Sequence, residues 1–388
     1  MPMAEVRASP THSMDVSALG ESSRPKPKPE APRPEVLFSF AVISDLHDEP
    51  SCDVSLGAKL PEAVKVLNSL DPDFVVGAGD LVAGGGDCLE WGRGYPEHEL
   101  AAQLERLRRE LLEPLDAPFV PLSGNHDLSL AGTRDRTIPE RIWAEFWKAQ
   151  AEHVLPEARP LASATNHRFL YMGVGFSLLG FNGTLGLHPK ELAWAEHNLR
   201  TGDLVFRHVN PYGISCHSSW NCGFAIRSWP SPAYERLTEL LSARRVSALF
   251  AGHTHAFFDG HCDGLRFVNT GSLGDRSMEF IKGWHESPFK KRQAFVWVDV
   301  LREGPIRVTF FVWDPSHRTF LPFDNRFFPK ALSAEKKQLG SFFEGVSARC
   351  ISNRLPPDVH WSYLRRRAET ARMARLASRP PTAAPPTP

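Results

Sequence analysis

The sequence predicts an α/β fold, and three observations support this class. Apolar runs rich in β-forming residues alternate with amphipathic helical segments from residue 36 onward, which is typical of βαβ units. The first of these runs is nearly continuous in apolar residues, as expected of a strand buried on both faces. Polar residues follow the first three predicted strands at their ends, where open α/β sheets place their ligands.

Length and composition set the bounds of the prediction. The chain of 388 residues is long enough for one large core or for two domains. An apolar content of 42% and a charged content of 23% are ordinary for a soluble globular protein. The 45 acidic and 45 basic residues give a formal net charge of zero, so no overall field indicates nucleic acid or an acidic membrane as partner.

The sequence also favours a cytoplasmic location. No apolar run reaches the roughly 18 residues of a membrane span, and the N-terminus lacks the apolar segment of a secretory signal. The cysteines are scattered and predict neither a zinc knuckle nor a disulfide framework. They are Cys52, Cys88, Cys216, Cys222, Cys262 and Cys350.

The first two predicted strands each end on an acidic residue. Residues 36–44 run directly into Asp45-Leu46-His47. Residues 60–70 form an amphipathic pattern with a proline in the first turn, which predicts a helix. Residues 73–80 then predict a second strand that closes on Asp80. The glycine before Asp80 would allow the backbone to approach a ligand closely.

The third strand ends on a cluster of polar residues. A helical pattern over 97–113 precedes an apolar run over 118–122, and that run ends in Ser123-Gly124-Asn125-His126-Asp127. The chain therefore runs through three predicted strands that are joined by helices. The first two strands end on an acidic residue, and the third ends on Asn-His-Asp. This order predicts a site built along one edge of a sheet.

A histidine pair follows a later strand. Residues 246–250 predict a short buried strand, and His253 and His255 come after Gly252 at its end. In an extended segment, positions i and i+2 lie on one side about 7 Å apart at Cα, so each ring could bind a different ion of a close metal pair. Helices over 139–151, 188–199 and 232–242 and a strand over 171–181 are predicted between the two motif regions.

Beyond the histidine pair, two strands and two helices are predicted. Residues 293–301 and 306–313 predict a strand pair that would complete a second sheet. Residues 330–347 predict a helix, and residues 361–378 form a basic helical stretch before a disordered Pro/Thr end. A solvated helix face is the commoner meaning of such a basic stretch.

The ordered motifs resemble those of the calcineurin-like metallophosphoesterase family. They are Asp45-x-His47, Gly79-Asp80, Gly124-Asn125-His126-Asp127 and Gly252-His253-x-His255, and the resemblance covers about residues 37 to 275, including Asn269-Thr270-Gly271-Ser272. It implies a two-sheet β-sandwich flanked by helices, forming a single metallophosphoesterase domain over residues 35–328. A disordered, proline-rich tail over 1–34 is expected to precede this domain. A C-terminal helical extension over 329–388, ending in a disordered tail, is expected to follow it.

The resemblance also implies a ligand set for two metal ions. One ion would be held by Asp45, His47 and His255, the other by Asn125, His253 and His217, with Asp80 bridging them. Carboxylate, amide and imidazole ligands suit divalent Mn²⁺, Fe²⁺ or Zn²⁺.

The seventh ligand is open between His217 and His208. The small neighbours of His217, Ser215 and Cys216, suit a packed strand end, whereas Arg207 is awkward beside His208. This comparison favours His217.

The resemblance assigns a mechanism to these residues. Two ions about 3.5–4 Å apart would lower the pKa of a bridging water toward about 7, and the resulting hydroxide would attack phosphorus. His126 would contact the phosphoryl group and help to protonate the leaving group. Asp127 would orient His126, or it would serve only as a turn or N-cap acid.

The predicted function is therefore that of a dinuclear, metal-dependent phosphoesterase, either a phosphatase or a phosphodiesterase. Its partner would be a phosphorylated substrate, and the sequence leaves monoester and diester open. One alternative is a catalytically inactive metal-binding scaffold. Another is a nuclease that uses the basic C-terminal helix to hold phosphates, although the zero net charge argues against it.

Overall fold

The computed structural model describes most of the predicted domain and a small part of the C-terminal extension. The described residues are 35–46, 59–84, 97–128, 137–162, 166–180, 187–209, 211, 232–253, 255, 257–274, 292–325, 331–333 and 349–353. The predicted tail over 1–34 and the basic stretch over 361–378 lie outside them. None of the helices in the described ranges is long and apolar enough to cross a membrane.

The described elements follow the predicted α/β order. The strands are β1 Val36–Ile43, β2 Phe74–Ala78, β3 Phe119–Leu122, β4 His167–Tyr171, β5 Val174–Leu179, β6 Leu204–Arg207, β7 Ala248–Ala251, β8 Phe257–Cys262, β9 Leu265–Thr270, β10 Ala294–Leu301, β11 Arg307–Asp314, β12 Thr319–Pro322, β13 Ala331–Ser333 and β14 Arg349–Ser352. The helices are α1 Leu60–Leu70, α2 Glu97–Leu107, α3 Thr137–Ala149, α4 Pro189–Asn198 and α5 Pro232–Ala243. A turn of π-helix over Arg108–Leu112 follows α2, and a 3₁₀ segment spans Pro156–Ala162.

The first sheet has the strand order β12-β11-β10-β1-β2-β3. Strands β1, β2 and β3 are parallel neighbours, whereas β10 pairs with β1 in antiparallel orientation. Because parallel strands end at the same edge, the segments after β1, β2 and β3 meet there. These segments carry Asp45, Asp80 and Asn125.

The second sheet has the strand order β13-β14-β8-β9-β7-β6-β5-β4. Its strands β5, β6 and β7 are parallel neighbours, and β9 continues the parallel set beside β7. The segment after β6 begins with His208, and the segment after β7 carries His253 and His255. The second sheet therefore also brings its candidate ligands to one edge.

Phenylalanine side chains form the core between the two sheets. Phe40 of β1 is buried, and its ring lies 5.4 Å from Phe176, 6.1 Å from Phe206 and 6.1 Å from Phe250 in the second sheet, measured between ring centroids. Edge-to-face and offset contacts at these distances are favourable arrangements for aromatic rings. The predicted two-sheet sandwich flanked by helices is confirmed.

Helix α1 shows how the amphipathic pattern attaches a helix to this sandwich. Its buried residues recur at spacings of three and four, and a proline stands in the first turn. The helix ends at Asp71, which adopts a left-handed conformation with φ of 57° and donates its backbone N–H to Leu67. The buried residues are Leu60, Ala63, Val64, Leu67 and Leu70.

Two hairpins in the second sheet are absent from the sequence prediction. Strands β8 and β9 are joined at Asp263 and Gly264, which have φ of 51° and 83°. Strands β4 and β5 are joined at Met172 and Gly173, with φ of 46° and 82°. Positive φ at both central residues is the signature of the two-residue hairpin turn, and the Asp-Gly pair was the signal that could have revealed β8 and β9.

The C-terminal extension contributes strands to the second sheet. Ala331–Ser333, at the start of the predicted helix over 330–347, is strand β13, so the helix prediction is wrong for these residues. Strand β13 pairs with β14, and β14 pairs with the edge of β8. Pairing with neighbouring strands therefore overrides the local helical pattern. Residues 334–348 lie outside the described ranges.

A disulfide is present, contrary to the expectation from the scattered cysteines. Cys262, the last residue of β8, is disulfide-bonded. Backbone pairing places Cys350 of β14 directly opposite Cys262. Spacing along the chain does not reveal this arrangement, because the two cysteines meet only through pairing of distant strands.

Candidate metal centre and active site

The candidate ligands lie on loops that are hydrogen-bonded to one another. The N–H of Asp45 donates to the carbonyl of Gly79 at 3.0 Å, and the N–H of Leu46 donates to Asp80 at 2.8 Å. In the second sheet, the N–H of Gly252 donates to the carbonyl of His208 at 3.0 Å. These backbone bonds fix the relative positions of the loops that follow neighbouring strands.

Three side chains from both sheets converge on one point. Asp80, His208 and His253 each offer a ligand atom, and these atoms all lie within 4.8 Å of one another. Asp80 and His208 are buried. Carboxylate and imidazole at this spacing form a group that could hold a divalent metal ion.

The tautomer of His208 leaves one ring nitrogen available. Its Nδ1 lies 2.8 Å from the carbonyl oxygen of Ala78. Because a carbonyl only accepts, Nδ1 carries the hydrogen, and in the neutral ring Nε2 has the lone pair. Nε2 lies 2.9 Å from Oδ2 of Asp80 but has no hydrogen bond of acceptable geometry. Two acceptors at this distance require a proton or a cation between them.

Asp45 and His255 form the second half of the cluster. Nε2 of His255 lies 3.4 Å from Oδ1 of Asp45. Oδ2 of Asp45 accepts from the Ser44 hydroxyl at 2.7 Å, and the backbone N–H of His253 lies 3.0 Å from both carboxylate oxygens. These donors fix the carboxylate at the end of β1.

Asn125 provides an independent test of fit to a metal ion. Its Oδ1 is buried and has no hydrogen-bond partner. A buried acceptor without a donor costs about 1–3 kcal/mol, so such groups in native structures call for an explanation. Coordination of a cation would satisfy this oxygen, and the donor set as a whole fits a divalent ion.

Four candidate ligands have unusual backbone conformations. Asp45, Asp80, His253 and His255 have φ of 53°, 51°, 70° and 56°. For residues other than glycine, such left-handed conformations cost about 1–3 kcal/mol and concentrate at functional sites. The strain is most informative at the two histidines, because the short side chain of aspartate tolerates this region better.

The glycines of the motifs provide the space in which the ligands meet. A methyl group added to Gly79, which has φ of 90°, would lie 2.5 Å from Nδ1 of His208. One added to Gly252 would lie 2.7 Å from Oδ2 of Asp45, and one added to Gly124 would lie 2.2 Å from Oδ1 of Asp80. Glycine is therefore required for close approach of backbone to ligand at these positions.

Burial and neighbouring charges shift the pKa values of the metal-free site. Burial lowers the pKa of His208, but the carboxylates of Asp80 and Asp45 raise it, and the balance is about 9. Burial, followed by the charge of His208, lowers the pKa of His253 to about 3. His253 is therefore neutral near pH 7, which is the form that binds metal.

His126 lies beside the cluster with one nitrogen facing it. Its Nε2 is 3.9 Å from Oδ2 of Asp80, and its side chain is 20% exposed while that of Asp80 is 1% exposed. Its Nδ1 lies 2.8 Å from the carbonyl oxygen of Ala83. The bond to Ala83 therefore helps to orient the ring.

Asp127 is bonded to the backbone of two loops. Its carboxylate is buried and accepts hydrogen bonds from the backbone N–H groups of Val82 at 3.0 Å and Gly124 at 2.7 Å. Burial and then the charge of Asp80 raise the pKa of Asp127 to about 7, whereas the two backbone donors lower it. Asp127 thus connects the loops after β2 and β3.

Two of the predicted ligands, His47 and His217, lie outside the described residues. The alternative to His217, His208, lies in the cluster with Asp80 and His253. The feature that disfavoured His208 has a structural explanation, because Arg207 is buried in an ion pair with Glu191, at 2.6 Å between Nε and Oε1.

Comparison with solved structures finds several matches of low sequence identity. Purple acid phosphatase PPD1 from yellow lupin (Lupinus luteus) seeds is 15% identical with a TM-score of 0.51, and the match covers 75% of this chain and 54% of the lupin chain. PhoD is 13% identical with a TM-score of 0.47, over 90% of this chain and 79% of its own. GAP50, the anchor in the inner membrane complex of Plasmodium, is 14% identical with a TM-score of 0.41, over 90% and 99%. At these identities, the likeness to the lupin enzyme shows the fold alone.

Comparison of sequences shows the family. No curated protein sequence matches the chain. The family described as calcineurin-like phosphoesterase matches residues 38–257, which is more than half of the 388-residue chain. With the ordered motifs, the two-sheet sandwich and the cluster at its edge, this match shows that the chain belongs to the calcineurin-like phosphoesterase family.

Proposed function

We propose that this protein is a dinuclear, metal-dependent hydrolase of phosphoric esters. One divalent ion would be held by Asp45, His47 and His255, and Asp80 would bridge to the other. The second ion would be held by Asn125, His253 and a further histidine. The ions that suit this set are Mn²⁺, Fe²⁺ and Zn²⁺.

We assign the further histidine to His208 rather than to His217, which the sequence favoured. Three observations support this revision: its burial at the end of β6, its place in the cluster with Asp80 and His253, and the bond from Nδ1 to Ala78 that frees Nε2.

The observation that carries the proposal is the convergence of ligand atoms from both sheets, because those of Asp80, His208 and His253 all lie within 4.8 Å of one another. Nε2 of His208 and Oδ2 of Asp80 are 2.9 Å apart. A divalent cation bound here would take the place of the proton that His208, with a pKa of about 9, carries in the metal-free protein. The unpaired Oδ1 of Asn125 independently supports coordination, because a bound ion is one of the explanations for a buried acceptor without a donor.

The residues of the chain would then divide the reaction between them. When bound, the two ions supply an activated water nucleophile and positive charge that offsets the charge on the phosphoryl oxygens. His126, with Nδ1 bonded to Ala83, directs Nε2 toward the cluster and is placed to protonate the leaving oxygen. Asp127 keeps the loops that carry Asp80 and His126 in register through its two backbone bonds.

Hydrolysis by metal-loaded protein tests the proposal. The full chain is loaded with Mn²⁺ and assayed with p-nitrophenyl phosphate and bis-p-nitrophenyl phosphate, and bound metal is counted by atomic spectroscopy. We expect about two ions per chain and metal-dependent activity. Asp80→Asn keeps the size of the bridging side chain and should lose both the bound metal and the activity. Asp203→Asn is the matched control, because Asp203 is a buried aspartate paired with Arg168 outside the cluster.

The outcomes separate the candidate functions. Preference for the diester would indicate a phosphodiesterase, and preference for the monoester would indicate a phosphatase. Two bound ions with no hydrolysis of either substrate would refute the proposed enzyme and favour the metal-binding scaffold. If no metal binds, or if Asp80→Asn binds as much metal as Asp203→Asn, the proposed centre is wrong.

A further inference from the structure

Three consecutive residues after β2 are each bonded to a different side chain. The N–H of Val82 donates to Asp127 at 3.0 Å. The carbonyl of Ala83 accepts from Nδ1 of His126 at 2.8 Å. The next residue, Gly84, is bonded through its own N–H and carbonyl to Gln103 of α2. Gln103 thus completes a short segment, Val82–Gly84, whose middle carbonyl orients His126.

The contact between Gln103 and Gly84 uses both ends of one side-chain amide. The N–H of Gly84 donates to Oε1 of Gln103 at 3.0 Å, and Nε2 of Gln103 donates to the carbonyl of Gly84 at 3.4 Å. Gln103 is 2% exposed, and Gly84 is also buried, with a left-handed φ of 59°. A buried amide requires partners for its donor and its acceptor, and the carbonyl and the N–H of Gly84 supply them.

We propose that Gln103 is a positioning residue for His126. The N–H of Gly84, which donates to Gln103, belongs to the same planar peptide unit as the carbonyl of Ala83. By fixing this unit, Gln103 fixes the carbonyl and with it the ring of His126. Nε2 of His126 is thereby held toward Asp80, at 3.9 Å. The inference deepens the proposed function and rests on it for the role of His126 as proton donor.

The reaction step that depends on this placement is transfer of one proton. The nucleophile is hydroxide, formed when water gives one proton to solvent; as its oxygen bonds to phosphorus, the bond from phosphorus to the leaving oxygen breaks and its electron pair stays on that oxygen. The proton on Nε2 of His126 passes to the leaving oxygen, so the ring begins the step with both nitrogens protonated and ends it neutral. Nδ1 keeps its own hydrogen, which stays bonded to Ala83 throughout. A shift of the Ala83 carbonyl would therefore misdirect the donor without removing it.

Gln103→Met tests the inference, since it keeps the length and the apolar stem of the side chain but removes both hydrogen bonds. A displacement of about 1 Å at a reacting group can lower the rate about 100-fold. Phenolate, the leaving group of phenyl phosphate, is poor and needs the proton. The p-nitrophenolate of p-nitrophenyl phosphate is a good leaving group and departs with little help. We expect kcat/KM to fall at least 10-fold more for phenyl phosphate than for p-nitrophenyl phosphate. His126→Ala should show the same pattern, with a larger ratio between the losses of kcat/KM on the two substrates. The double variant should match His126→Ala alone.

Two further variants test whether the effect of Gln103→Met arises from folding alone. Gln103→Glu keeps an acceptor for the N–H of Gly84 and should fall between wild type and Gln103→Met. Asn68 makes a comparable amide contact outside the site, accepting from Asp116 at 3.0 Å and donating to Pro114 at 2.8 Å. Asn68→Ala should leave the ratio between the two substrates unchanged. All variants are compared at equal bound metal.

A readout independent of activity is the ring tautomer of His126. Nitrogen-15 NMR of the metal-free protein should show the Nδ1–H form in wild type, because Nδ1 donates to a carbonyl. Gln103→Met should give a mixture of tautomers, and Asn68→Ala should give the wild-type form.

The possible failures are distinguishable. An unchanged tautomer in Gln103→Met, or equal losses on both substrates, would overturn the inference. If His126→Ala has no dependence on the leaving group, the inference fails together with the proton-donor role. A protein that hydrolyses neither substrate refutes the proposed function, and loss of the Nδ1–H form in Gln103→Met would still support positioning of the ring.

Discussion

Replacement of Gly124 by alanine should remove the metal site without unfolding the protein. The added methyl carbon would lie 2.2 Å from Oδ1 and 2.3 Å from the backbone nitrogen of Asp80, whereas ordinary contacts begin at 3.4 Å. Because one of these atoms belongs to the backbone, rotation of the Asp80 side chain cannot relieve the clash. The loop after β2 must therefore move by about 1 Å or more. A displacement of that size at a reacting centre lowers rates about 100-fold, or about 2.7 kcal/mol in the barrier.

The assay for Gly124→Ala combines metal content, activity and thermal unfolding. We expect bound metal to fall below one ion per chain and kcat/KM to fall at least 100-fold. Insertion of a methyl group into a packed region costs about 1–3 kcal/mol of folding free energy. The melting temperature should therefore drop by a few degrees, and the cooperative transition should remain.

Gly202→Ala is the control for a loss of folding free energy of similar size without a clash at the site. Gly202 has φ of 85°, and a methyl group added there would meet nothing within 4 Å. Alanine in this left-handed conformation costs about 1–2 kcal/mol, comparable to the overpacking at Gly124. Its metal content and activity should match wild type. Normal metal content and activity in Gly124→Ala would refute the argument that this glycine makes room for Asp80.

Three further predictions concern other parts of the structure. Asn125→Leu should lose metal but raise the melting temperature of the metal-free protein, because it removes a buried oxygen without a partner that costs about 1–3 kcal/mol; an unchanged or lower melting temperature would contradict this. Ser44→Ala should weaken metal binding about 10- to 100-fold in calorimetric titration, because the Ser44 hydroxyl orients Asp45; unchanged affinity would count against that role. Peptide mapping without reduction should recover a fragment joining Cys262 to Cys350, which lies opposite it, and a different partner for Cys262 would disprove this pairing.

The elements that the sequence predicts best are those whose local pattern and tertiary environment agree. Strands β1, β2 and β3 are apolar runs buried in the sheet. Each strand ends within two residues of its predicted end, just before a polar motif. Their parallel pairing could be inferred from the helices between them. Once three strand ends are placed at one edge, the proximity of Asp45, Asp80 and Asn125 follows from topology without knowledge of side-chain geometry.

The features that the sequence does not reveal depend on contacts between distant segments. Strand β14 forms by pairing with the edge of β8, and the disulfide at Cys262 depends on strand pairing as well. The backbone bonds of Asp127 are another case. In the fold, its carboxylate reaches the N–H of Val82 across the loop, and the position of Asp127 in the sequence does not indicate this contact.

The choice between His208 and His217 shows how a buried charge can mislead. A charged residue beside a candidate ligand at a strand end argues against burial, because an isolated buried charge is costly. Arg207 is nevertheless 3% exposed, because Glu191 of α4 pairs with its guanidinium at 2.6 Å. The same guanidinium donates to the carbonyl of Val209, on the other side of His208. The buried pair therefore holds the backbone on both sides of His208, and the feature that disfavoured this histidine in the sequence helps to fix it in the fold.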